Sequence, residues 1–110
     1  MGIYRMYTGD DNETHLEELS LQSHPNLQES RFSGSFEFQN IESPRFSDFH
    51  PAPNRRWTVL LSGRLEIGLG DGSKHNFRPG DIRLIEDVSG HGHTTRYLEA
   101  SISAVFLIQE

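Results

Sequence analysis

The chain has 110 residues, no cysteine and a net charge of −6. That length supports one domain, expected over residues 1–110, with a single core or one small pocket. The missing cysteines exclude disulfides, thiolate metal sites and cysteine nucleophiles, and the acidic balance argues against nucleic acid as a partner. No apolar run approaches the ~18 residues of a membrane span. The opening Met1 to Tyr7 lacks the apolar core of a signal peptide. The expectation is a cytoplasmic protein with no membrane partner.

Ile3 to Tyr7 alternates weakly and reads as an edge strand. Thr14 and Glu17 have capping-box spacing, so a short helix at His15 to Leu19 is one reading and a strand through Leu19 and Leu21 the other. The surrounding acidic run reads as solvated surface. Ser23 to Ser30 is polar and reads as a loop. Phe32, Phe36 and Phe38 alternate with small and polar residues, predicting a strand with its aromatic face inward. Alternation then puts Phe46, Asp48 and His50 on one strand face and Ser47 and Phe49 on the other. Pro51 and Pro53 end that strand.

Arg56, Thr58 and Leu60 share one face of the next strand; Trp57, Val59 and Leu61 share the other. Leu65, Ile67 and Leu69 mark a half-buried strand, and Gly70-Asp71-Gly72 is a hairpin turn. His75 on the returning arm is expected to be exposed. Ile82 to Ile85 forms a strand running into Glu86 and Asp87. His93, Thr95 and Tyr97 share a face. The last strand, Ile102 to Ile108, is apolar on both sides. Short strands separated by Gly and Pro turns predict a small all-β antiparallel barrel.

The stretch from His50 to Tyr97 resembles the cupins. In that family a first motif places two His and a Glu ahead of a Gly. Aligned on Gly63, His50 takes the first His position, Ala52 the second and Arg56 the Glu position. A second motif, counted from Gly80, puts Glu86 at a Pro position and His91 at the His. With a slightly longer turn, Gly90, His93 and Tyr97 fit instead, and this alignment is preferred because Gly90 falls on a Gly. Tyr7 to Asp11 with His15, Phe49 to Pro53, and Gly80-Asp81 through to His93 also resemble short single-domain cupins. The resemblance implies a jelly-roll barrel with a ligand or metal pocket inside.

The first motif keeps one family ligand of three, so no resident metal is expected. An inward Arg56 would repel a cation, because its charge cannot be removed. The alternative is a divalent transition metal held by His50, His91, His93 and Glu86. Without metal, Arg56, Thr58, Glu86 and His91 are the candidate ligand-binding groups, and His50, His93 and Tyr97 the candidate proton-transfer groups. His50 and His93 are expected across the barrel mouth from each other, with Arg56 on the floor between them. That set suits a small anionic or carbonyl-bearing molecule and metal-independent isomerisation, epimerisation or cyclisation. A metal-dependent dioxygenase or lyase and a non-catalytic binding domain are the alternatives. The apolar Trp57 face needs a cover, supplied by the N-terminal strand or by a second copy in a homodimer.

Overall fold

A computed structural model describes residues 2–29 and 34–108. These form β1 (Ile3–Thr8), β2 (Thr14–Leu19), β3 (Gly34–Ile41), β4 (Arg45–His50), β5 (Arg56–Ser62), β6 (Leu65–Gly68), β7 (Lys74–Phe77), β8 (Ile82–Ile85), β9 (His93–Tyr97) and β10 (Ser101–Ile108). One sheet has the order β2-β1-β8-β5-β10-β3 and the other β4-β9-β6-β7. The fold is all-β and jelly-roll-like, as expected. One pairing, β1 with β8, is parallel. No helix among the described residues is long and apolar enough to cross a membrane.

One open reading is settled and two local expectations change. Thr14–Leu19 is a strand, not a helix, and pairs along its whole length with β1. Tertiary pairing overrides the capping signal there. β1 is therefore an interior strand between β2 and β8 rather than an edge. The aromatic face of β3 points outward, with Phe36 50% and Phe38 64% exposed. Pairing explains this: Phe36 lies opposite Phe106, which lies opposite Trp57, so all three share the outer face of the larger sheet. Phe32 lies outside the described residues. The polar loop carries a 3-10 turn at Pro25–Glu29.

The β6–β7 hairpin closes as predicted. Asp71 Oδ1 accepts from the Ser73 amide at 2.9 Å and the Ser73 hydroxyl at 2.6 Å. Gly72 has φ +89 with open space around it, so backbone conformation rather than crowding requires glycine. His75, expected to be exposed, is half-buried against the Ser73 hydroxyl. Inside, Met6, Leu60, Leu65, Ile67 and Phe77 form the core. Leu65 and Ile67 are fully buried, each worth about 1.5–3 kcal/mol relative to exposure. This core occupies the β1, β6 and β7 side; the side bounded by β3, β4 and β10 is hollow.

An ion-pair chain ties the larger sheet together at one end. Arg5 donates to Glu17 at 3.1 Å and to Glu86 Oε1 at 2.7 Å. Arg55 donates to Glu86 Oε2 from Nε at 2.9 Å and Nη2 at 2.5 Å. Burial raises the Glu86 carboxyl, but the hydrogen bonds from Arg5 and Arg55 outweigh it and the net shift is downward. A carboxyl lowered on folding contributes stability above its unfolded pKa, and loses it as pH falls through the folded value. Glu86→Gln is expected to cost about 1–3 kcal/mol at pH 7. The gap to wild type should shrink as pH drops below about 4.3. Urea denaturation from pH 7 to 3 measures both, and a gap independent of pH contradicts the assignment.

Candidate functional site

The hollow side is a cavity of about 130 Å³. His50, Arg56, Thr58, His93 and Tyr97 all line it. His50 arrives there through an irregularity. Ser47 pairs with Thr95 but His50 pairs with His93, so β4 carries one extra residue. That bulge breaks the simple alternation: Ser47 and His50 both face the cavity, whereas Phe46 packs outside against Arg96 at 4.5 Å. The two histidines are thus cross-strand neighbours in the smaller sheet, with ring centroids 5.6 Å apart, not groups facing each other across the mouth. Gly92 permits this approach. It has φ +81, and a Cβ there would lie 2.1 Å from the His50 carbonyl.

Both imidazoles are held by Nδ1. His50 Nδ1–H donates to the Asp48 carbonyl at 2.7 Å. His93 Nδ1–H donates to Asp87 Oδ2, which also accepts from the Thr14 hydroxyl at 2.7 Å. Asp87 is fully buried and His93 is 5% exposed. Each ring is therefore fixed with Nε2 as the nitrogen able to accept a proton. An imidazole oriented by a buried carboxylate at Nδ1 is the arrangement of a general base, with the carboxylate stabilising the imidazolium once formed. Tyr97 is buried, and its hydroxyl lies 3.4 Å from Gln39 Oε1.

Arg56 is not on the floor. Asn54 Oδ1 accepts from its Nε at 3.0 Å and Nη2 at 2.6 Å, which holds it toward the rim. The deep guanidinium is that of Arg83, 8% exposed and opposite Thr58 across β5 and β8. Its neighbours are Met6 Sδ at 3.7 Å and the Phe77 ring at 5.3 Å. Burial pulls its pKa below the ordinary value, and the Arg56 charge adds to this; Tyr97, Asp87 and Asp81 oppose. Arg83 and Asp87 were not singled out from sequence, although alternation alone puts residues 83, 85 and 87 on one face.

Glu86 and His91 do not join the site. Glu86 falls on the opposite parity to Ile85 and is taken up by Arg5 and Arg55. His91 sits in a turn flanked by Gly90 (φ 78) and Gly92 (φ 81), which rotates it away from His93. It donates to Glu13 at 2.8 Å and stacks on Phe49 at 4.0 Å. His15 pairs with Asp11 at 2.9 Å and stacks on Tyr7. Among the described residues no three His, Asp or Glu are grouped to hold a metal ion. His50 and His93 offer two nitrogens where a catalytic metal site uses about three protein ligands, and three arginines, Arg45, Arg56 and Arg83, line the same cavity.

No family model matches the chain, and no curated protein matches it. Among solved structures it is similar to protein NMB1881 from Neisseria meningitidis at 15% identity, over 83% of this chain and 99% of that one, with a TM-score of 0.43. It is also similar to the conserved SPY1581 protein of unknown function from Streptococcus pyogenes, at 16% identity over 94% and 96% of the two chains, with a TM-score of 0.46. A putative ethanolamine utilization protein Q from Salmonella typhimurium aligns at 12% identity over 100% and 98% of the chains, with a TM-score of 0.39.

Proposed function

We propose that the protein binds a small anionic molecule in the barrel cavity and moves a proton on it without a metal, as in isomerisation, epimerisation or cyclisation. One observation carries the binding half: among the described residues the cavity is lined by Arg45, Arg56 and Arg83 and by no Asp or Glu. In a chain of net charge −6, such a pocket selects anions by charge and by guanidinium hydrogen bonding. The hydroxyls of Thr58 and Tyr97 supply further polar contacts. The chemical half rests on His93. Asp87 holds its Nδ1–H, so Nε2 accepts a proton from the bound molecule and Asp87 stabilises the resulting cation. Thr14 positions Asp87 in turn. His50, with Nε2 also available, is the second proton-transfer group, and Tyr97 can supply an acid.

The tautomer is measurable without a known substrate. Nitrogen-15 NMR of the neutral His93 ring is expected to find the proton on Nδ1 in wild type. A proton on Nε2 contradicts the role given to Asp87. Once the ligand is identified from material that co-purifies, His93→Ala should retain weakened binding and lose about 10²–10⁴-fold in turnover. A bound ligand that wild type leaves unchanged makes the protein a binding domain instead.

We further propose a homodimer joined through the outer face of the larger sheet. Phe36, Phe38 and Leu61 are exposed there beside Trp57 and Phe106. Leu61 is the unpaired residue of a bulge between the Ser62 and Leu60 pairings, which pushes it outward. The N-terminal strand, the other candidate cover, lies in the plane of this sheet as β1. A two-fold contact lets one apolar patch cover its copy. Light scattering at micromolar concentration should give twice the chain mass, and Leu61→Glu should halve it. A monomeric wild type contradicts the proposal.

A further inference from the structure

Arg83 has an environment that suits a ligand and does not suit an empty protein. It lies on β8 at 8% exposure, with a thioether and an aromatic face as its neighbours. Neither balances a full charge. Among the described residues no carboxylate is hydrogen-bonded to it: Asp81 accepts from the Gly2 and Arg78 amides, and Asp87 accepts through Oδ2 from Thr14 and His93, so both favour the guanidinium only through their charge at a distance. A buried charge without a hydrogen-bonded counter-ion is costly. Replacing it with an apolar chain of similar length would remove that cost. Such a group is understandable where a second molecule brings the missing negative charge.

We infer that Arg83 is the anchoring cation of the cavity and takes the carboxylate of a small organic acid, which enters carboxylate-first. This rests on the anion-binding reading above and names its substrate class. The guanidinium fork matches a carboxylate with two parallel hydrogen bonds. Arg83 is the one deeply buried cation of the three lining arginines, so it matches a monoanion at the floor, whereas a phosphate dianion needs a second charge that Arg45 and Arg56 offer only nearer the rim. The volume of about 130 Å³ limits the buried part of the acid to about the size of benzene, which an apolar cavity of ~150 Å³ is known to admit. Arg56, tied to Asn54 nearer the rim, meets whatever part of the acid reaches outward.

The experiment is a titration of the purified full chain with acetate, propionate, benzoate and inorganic phosphate at fixed ionic strength, followed by NMR. Wild type is compared with Arg83→Met, Arg83→Lys and Arg56→Met, and thermal midpoints are recorded without ligand. The expected result is binding of at least one acid by wild type, more tightly than phosphate. Arg83→Met should lose about 10–100-fold of that affinity while its ligand-free midpoint rises. Arg83→Lys, which keeps the charge and loses the fork, covers the case in which the Met variant does not fold, and should also bind more weakly. Unchanged acid binding in the Arg83 variants, with loss in Arg56→Met, overturns the inference and leaves the anion-binding reading standing. Phosphate bound more tightly than every acid overturns the carboxylate assignment. A fall in midpoint for Arg83→Met makes Arg83 structural and also overturns it. No binding of any acid or of phosphate by wild type overturns the anion-binding reading itself.

Discussion

The buried Asp87 carboxylate is the joint on which the two sheets and the cavity meet. Its Oδ2 accepts from Thr14 at the start of β2 and from His93 at the start of β9. Its backbone carbonyl accepts from the Ala52 amide, in the connection between β4 and β5, at 2.9 Å. One fully buried residue thereby links the larger sheet, the smaller sheet and the segment after His50. Its second oxygen, Oδ1, is buried without a hydrogen-bond partner among the described residues. A buried carboxylate is tolerated only when its partners are held in place. The Asn12 carbonyl, which accepts from the His91 amide at 3.0 Å, and the tight Gly92 turn supply that restraint.

This joint divides the interior. On one side Leu65, Ile67, Phe77 and Met6 exclude water and supply the apolar burial that stabilises so small a domain. On the other side the sheets stay apart, and the inner face carries arginines, histidines and hydroxyls. Arg83 stands at the boundary, its guanidinium against the core residues Met6 and Phe77 and its strand partner Thr58 in the cavity wall. Filling the hollow side with apolar residues would raise stability. The polar lining instead leaves a charged site that a ligand can complete.

The strands and turns were legible in sequence because Gly and Pro punctuate short alternating runs. The lining positions of Arg56, Thr58, His93 and Tyr97 followed from alternation and from the cupin resemblance, and that of His50 from the resemblance alone. What stayed hidden has local physical causes. The bulge in β4 adds one residue between Ser47 and His50, and one extra residue reverses every later side-chain direction. Phe36 and Phe38 alternate perfectly, yet alternation names two faces without saying which is inner; the partner strand β10 decides that. Arg83 sat on the inner parity, but an arginine within an apolar strand is ordinarily assigned to the surface. His91 and His93 looked equivalent until the positive φ of Gly90 and Gly92 separated them.

An organic anion and a metal ion would leave different marks in the cavity. Anomalous diffraction from crystals of protein purified without chelator distinguishes them. The expected result is no transition-metal peak within bonding distance of His50 and His93 Nε2, and planar density against the Arg83 guanidinium when a small acid is present. A full-occupancy metal peak shared by the two histidines would contradict it.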